Sequence, residues 1–250
     1  MRRVWKRLCG LMLVGAIGVA AVGAALSNAL PESVPGAAAE ARTAMLEDAI
    51  HLEAWEQTGA ISFVFAGHHR HLWDRKRGLH RLERGSTVVM YDLKTRTGKA
   101  WRADVPLEGS ELRTAIDRAW MIWCNDTFWL NPLAKLRDPG VERGAVELPD
   151  GRSGLLVHYA QGGMTPGDRY LWILGEDGLP TAWRMWVSVV PIPGLEGSWE
   201  GWTTLSTGAV ISTRHAFGPV DLWFSEVAGA QTLSKLVGDV DPFSPILHEG

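Results

Sequence analysis

From Ala60 onward the sequence is cut into short apolar runs by turn signals that recur roughly every eight to twelve residues. Pro149-Asp150-Gly151 and Glu176-Asp177-Gly178 are hairpin-turn sequences, and Ser206-Thr207-Gly208 and Gly218-Pro219 punctuate the chain again. Runs joined this tightly leave no room for the crossover that a parallel pair requires, so consecutive strands must pair antiparallel. The spacing predicts strands near Ala60–His68, Leu72–Leu82, Ser86–Leu93, Gly98–Ala103, Thr127–Leu130 and Gly144–Leu148. It predicts more near Ser153–Ala160, Asp168–Leu174, Pro180–Val190, Ser198–Ser206, Ala209–Phe217 and Asp221–Ala228.

The two faces of these strands narrow the architecture. In Asp168–Leu174 one side carries Arg169, Leu171 and Ile173, and the other Tyr170, Trp172 and Leu174. In Pro180–Val190 one side is Trp183, Met185, Val187 and Val189, and the other Ala182, Arg184, Trp186 and Ser188. A half-solvated antiparallel strand is polar on one side. Here both sides hold large apolar groups, so both faces are covered in part. A curved sheet with helices in its concave side meets that demand, whereas a barrel filled by its own side chains would show a polar exterior. Two stretches have helical spacing: 37–57, with Ala41, Met45, Ala49, Leu52 and Trp55, and 107–123, with Leu112, Ile116, Ala119 and Trp123. The expected fold is mainly β (α+β): a curved antiparallel sheet with an N-terminal helix and an inserted helix on its concave face.

The N-terminus reads as an export signal. Met1 is followed by Arg2, Arg3, Lys6 and Arg7, then by an uncharged apolar run from Leu8 to Leu30. Small residues at Ser27 and Ala29 suit cleavage after Ala29, which yields a soluble periplasmic protein. Leu8–Leu26 is also about long enough to cross a hydrocarbon core of roughly 30 Å, which yields a domain anchored to the inner membrane and facing the periplasm. Residues 1–29 are thus expected to be a signal peptide or membrane anchor, 30–36 a linker and 37–250 a single domain. A net charge of −3 gives no basic face for nucleic acid. Beyond Cys9 the only cysteine is Cys124, so no internal disulfide can staple the domain.

No phosphate loop, dinucleotide fingerprint or Gly-x-Ser-x-Gly elbow is present, and no cofactor is expected. Cys124 with His158 is a conceivable nucleophilic pair, but a free cysteine after Ile122-Trp123 reads as a small buried hydrophobe. For a metal the weak candidates are His69, His71 and Asp74, with the two histidines on one strand face. Arg70, Arg75, Lys76 and Arg77 crowd that stretch with positive charge, so no metal is expected. The chain holds 13 tryptophans against 3 tyrosines, and all but Trp5 lie beyond the N-terminal segment. Trp120, Trp123, Trp129, Trp172, Trp183 and Trp186, with Met185, read either as core or as the walls of an apolar cavity.

Two motifs carry a family likeness. Asn125-Asp126-Thr127-Phe128-Trp129-Leu130, followed by Lys135-Leu136-Arg137-Asp138-Pro139-Gly140-Val141, is similar to an N-D-[ST]-[YF]-W-L … K-L-x-D-P-G-V signature of bacterial exported proteins of uncharacterised function. Pro166-Gly167-Asp168-Arg169-Tyr170-Leu171-Trp172, ahead of Gly178-Leu179 and Trp183, resembles a later G-D-R-Y-W strand of the same group. These proteins look like relatives of the outer-membrane lipoprotein-sorting (LolA/LolB-like) superfamily. The resemblance spans Cys124 to Trp186 and implies an unclosed barrel, lined with apolar residues and lidded by helices. The expected function is non-catalytic binding or transport of a lipid or of lipoprotein acyl chains in the cell envelope, with the membrane surface a further partner. The alternative is an envelope hydrolase, with or without a metal, drawing on His68–Asp74 and Asn125–Asp138.

Overall fold

The computed structural model describes residues 26–161, 165–218 and 220–247; the expected export signal, up to residue 25, lies outside them. Helices α1 (Ala37–Ala49) and α2 (Leu52–Gln57) lead into strands β1 (Ala60–Phe65), β2 (His69–Asp74), β3 (Leu79–Arg84), β4 (Thr87–Asp92), β5 (Gly98–Arg102) and β6 (Val105–Pro106). Helix α3 (Gly109–Leu130) and a 3-10 turn at Pro132–Lys135 precede β7 (Val141–Glu147), β8 (Ser153–Tyr159), β9 (Arg169–Leu174), β10 (Pro180–Trp186) and β11 (Leu195–Ser198). The chain finishes with β12 (Thr203–Thr204), β13 (Val210–Ile211), β14 (Arg214–Phe217), β15 (Val220–Ala230) and short helices α4 (Leu233–Val237) and α5 (Ser244–Leu247).

Among the described residues thirteen strands form two antiparallel sheets, one of eight ordered β14-β15-β1-β2-β3-β4-β5-β6 and one of five ordered β11-β10-β9-β8-β7, with β12 and β13 pairing by themselves. The sheets touch along β11 and β14. There the Ala216 amide donates to Ser198 Oγ at 3.1 Å, and Glu200 and Arg214 form a backbone bridge. The opposite edges, β6 and β7, do not pair with each other, so the structure is an open, mainly antiparallel β-fold with helices, as expected. Among the described residues no helix is long and apolar enough to cross a membrane.

At the seam Gly197 lets the Phe217 ring lie directly on the β11 backbone. A Cβ at Gly197 would stand 2.1 Å from Phe217 Cε1. Gly197→Ala is therefore expected to destabilise the fold by about 1–3 kcal/mol through overpacking. Urea denaturation measures this, and an unchanged midpoint would show that the seam yields freely.

Helix α3 lies between the sheets. Its Ile116 and Ala119 pack with Leu82, Val89, Tyr91 and Ala100 of the eight-stranded sheet, while Phe128 and Trp129 meet Tyr170 and Trp183 of the five-stranded one. Helix α1 covers the same inner face of the second sheet, placing Ala39, Leu46 and Ile50 in a core with Leu155, Val157, Trp172 and Trp183. Arg42 of α1 donates to the carbonyls of Val146 at 2.8 Å and Gly154 at 2.7 Å and pairs with Glu147. The other face of that sheet buries Val146, Leu148, Leu156, Leu171 and Ile173, with Ala182 and Trp186 packed on them. Beside them Glu196 bridges Arg152 and Arg184. Apolar side chains on both strand faces are thus accounted for by helices on one side and an aromatic and ion-pair cover on the other.

Several boundaries differ from the sequence reading. The first helix breaks at His51, whose φ of 50° is left-handed. The break is held from outside: His51 Nδ1 meets the Gly208 carbonyl at 2.8 Å, and the Ile50 carbonyl accepts from Val210 at 3.0 Å. The run Leu72–Leu82 is a hairpin of two strands, its turn closed by the Arg77 amide donating to Asp74 at 3.1 Å. Thr127–Leu130 is no strand but the last turn of α3. The run Pro180–Val190 ends as a strand at Trp186, and Ser198–Ser206 is divided between β11 and β12. The stretch 30–36 runs beside β7, where Val34 and Ala145 exchange backbone hydrogen bonds of 2.9 and 2.8 Å.

Candidate functional site

Between α3 and the inner face of the five-stranded sheet lies a cleft of about 560 Å³. One wall is Trp120, Trp123, Phe128 and Trp129 from α3, and the other is Tyr170 of β9 with Trp183 and Met185 of β10. Both walls follow from periodicity: residues two apart on a strand share a face, and residues three or four apart share a helix flank. Val187, Val189 and Val190, just beyond β10, extend the apolar lining, and Tyr159 and Val141 close it from β8 and β7. The polar lining comprises Lys135 and Asp138, paired at 3.4 Å and half exposed, with Gln161, Thr165, Asp168, Asn125 and Thr127. The Ser188 amide donates to Asp168 at 3.1 Å, tying the Val187–Val190 segment to the start of β9.

The walls are rigid because their rings support one another. Tyr170 stacks on Trp183 at 4.9 Å, Trp129 meets Trp183 edge-on at 4.8 Å, and Trp199 lies behind at 4.7 Å. The Arg96 guanidinium sits 3.7 Å over the Trp120 ring, a cation–π contact that holds this outermost plate.

Of the residues expected to line a cavity, Trp120, Trp123, Trp129, Trp183 and Met185 do so. Trp172 shares their sheet face but is fully buried, stacked behind Trp183 at 5.0 Å. Trp186 faces the other way, as alternation from Trp183 and Met185 requires, and its indole N–H donates to the Asn28 carbonyl at 3.0 Å. Sequence reasoning missed Phe128, Tyr159 and Tyr170 as lining; Val187 and Val189 were marked only by sharing the Trp183 side. Cys124 also lines the cleft, but burial pushes its thiol up to about 11, which leaves almost no thiolate at neutral pH. His158 pairs instead with Glu142 at 2.9 Å.

A second constellation lies on the side of α3 that faces the eight-stranded sheet. His69 Nδ1 and His71 Nε2 stand 2.8 and 2.9 Å from Oδ2 of Asp126, and the Asn125 amide donates to Oδ1 at 2.8 Å. Burial alone would raise the Asp126 carboxyl; the hydrogen bonds from His69 and His71 outweigh it and hold the group below its usual range. Behind this, His71 Nδ1 and His80 Nε2 are 3.0 Å apart, and burial pushes both rings below the usual histidine range. Asp74, expected beside the two histidines, is not there. Three residues from His71 it projects from the opposite face of β2, where Arg77 Nε donates to it at 2.6 Å. The signal for Asp126 was a carboxylate on the apolar stripe of a helix, three residues after Trp123 and four before Leu130. Ending that helix at Trp123 hid it.

No family model matches the sequence, and no curated protein matches it. Among solved structures the chain is similar to a DUF1329 family protein from Desulfovibrio piger ATCC 29098, at a TM-score of 0.41 and 10% identity, over 82% of this chain and 98% of that one.

Proposed function

We propose that the cleft between α3 and the five-stranded sheet binds the acyl part of a lipid or lipoprotein, without catalysis, in the cell envelope. The observation that carries the reading is the cleft itself: about 560 Å³, walled mainly by aromatic and aliphatic side chains, with the half-exposed Lys135 and Asp138 among its polar lining. That volume falls within the range typical of small-molecule sites. An acyl chain entering it gains roughly 0.8 kcal/mol for each methylene withdrawn from water, while the Lys135–Asp138 rim leaves a polar head in solvent. An open antiparallel sheet enclosing a helix also suits a relative of the LolA/LolB carriers. The basic and apolar order of the N-terminus supports a periplasmic domain, released after Ala29 or held at the inner membrane; mass spectrometry of the mature N-terminus tells the two apart.

The test is titration of delipidated protein with a fluorescent C16 fatty acid. Wild-type protein is expected to bind saturably, and Val187→Trp or Val190→Trp, which fill the cleft, to weaken binding at least tenfold, about 1.4 kcal/mol. Trp186→Ala, on the opposite face, leaves it unchanged. A wild-type protein that ignores the probe, or cleft-filled variants that bind equally well, would overturn the reading.

Hydrolysis is the second reading, and the His69–His71–Asp126 cluster favours it. Its burial argues the other way: His71 and Asp126 are each 1% exposed, which leaves a substrate no approach to either.

A further inference from the structure

We propose that His69, His71 and Asp126 form a binding site for one divalent transition-metal ion of the zinc class, which clamps α3 to β2. The three ligand atoms, Nδ1 of His69, Nε2 of His71 and Oδ2 of Asp126, all lie within 4.8 Å of one another. Nitrogen and oxygen ligands of a tetrahedral zinc ion stand about 3.4 Å apart. The two N···O separations here are 2.8 and 2.9 Å, so an ion needs the ligands to part by only about half an ångström. Two imidazoles and a carboxylate are a donor set that suits zinc, cobalt or nickel better than calcium or magnesium.

Three further features support the site. The Asp126 carboxylate is buried, and its hydrogen-bond partners are two imidazoles and one amide. A buried charge is costly unless it is paired, and a cation between the histidines supplies the pair. The His71 ring is held in its plane by Phe63, stacked at 4.4 Å and 14°. His80 gives His71 the outer partner that metal-bound histidines use. With Nε2 on a metal, His71 carries its proton on Nδ1 and donates to His80 Nε2. Without one, Nε2–H donates to Asp126 and His80 donates in return. The 3.0 Å contact is compatible with either tautomer of the His71–His80 pair. A water completing the coordination would enter past His69, whose side chain is 13% exposed against 0% for His71 and 2% for Asp126.

The site differs from the acyl cleft in location and chemistry and stands or falls without it. Full-length protein is stripped with EDTA, exchanged into metal-free buffer and titrated with Zn²⁺ by calorimetry and with Co²⁺ by visible absorbance. The expected result is one ion per chain and a thermal midpoint that rises with Zn²⁺ concentration, as binding to the folded state alone requires. Asp126→Asn removes a buried charge and can unfold the protein, so the decisive variant is His69→Gln at the rim. It is expected to keep its circular dichroism spectrum and lose at least 100-fold in affinity, while His158→Gln and Cys124→Ser bind like wild type. A wild-type protein without saturable uptake of either metal, or a folded His69→Gln that binds as tightly, would overturn the proposal.

Discussion

Trp183→Ala is expected to cost roughly 3–5 kcal/mol of stability, the range for emptying a buried tryptophan site. Trp183 is 1% exposed and is the common neighbour of the inner aromatic cluster. Tyr170, Trp172, Trp129 and Trp199 all have ring centroids within 5.0 Å of it, and Phe128 and Phe217 stand farther out at 6.4 and 6.2 Å. These rings come from β9, β10, α3, the segment after β11 and β14, so the void would lie where the helix and both sheets meet and no single element can close it. Urea denaturation checks the figure. The same measurement on Trp186→Ala, on the far face and only half-buried, should show a markedly smaller loss. A loss below about 1 kcal/mol for Trp183→Ala would mean that the rings re-pack. The contrast also guards the binding test: a Trp183 variant confounds cleft and core, whereas Val187 and Val190 stand at the edge of the cleft.

The second large effect is acid sensitivity centred on His215. This residue is fully buried, with Trp199 at 3.7 Å, Trp129 at 5.5 Å and Phe224 at 6.0 Å, and burial pushes its pKa from 6.5 down to about 3. A group whose folded pKa is depressed supports folding fully above its unfolded pKa. That support drains as pH falls, because the unfolded chain takes up the proton first. The window runs from about pH 6.5 down to about 3, the unfolded and folded values. Between pH 7 and pH 5 this one histidine should withdraw roughly 2 kcal/mol. His215→Phe keeps a flat ring in the aromatic box and removes the titration. Its stability should therefore fall less than that of wild type over the same interval, by about that amount. Parallel urea midpoints at the two pH values measure this, and equal losses in the two proteins would place the acid sensitivity elsewhere.

Much of the architecture was legible because its causes are local. Turn dipeptides and alternation mark strands, and the large apolar groups on both sides of Asp168–Leu174 and Pro180–Val190 demanded two covers. Helical spacing marked α1 and most of α3. The errors fall where distant contacts override local pattern. His51 breaks a helix because a loop more than 150 residues away supplies its hydrogen-bond partner. Phe128-Trp129-Leu130 reads as a strand by composition, yet continues α3 because Leu130 belongs with Ile61, Phe63 and Phe224 in one core cluster.

The sequence by itself determined the antiparallel pairing of successive strands, the open mainly β-fold with helices, and the opposite strand sides taken by Trp183 and Trp186. Alternation and helical periodicity are properties of neighbouring residues, and no partner is needed to read them. Only the tertiary structure decided which of the tryptophans reach the cleft: Trp183 and Trp172 share a face and both are buried, but Trp183 meets α3 through Trp129 and belongs to the cleft wall, while Trp172 lies behind it. Only the tertiary structure, too, brought Asp126 to His69 and His71. They are 57 and 55 residues apart along the chain, and their meeting depends on how a helix seats on a sheet. That seating follows from the packing of whole faces, which no local pattern encodes.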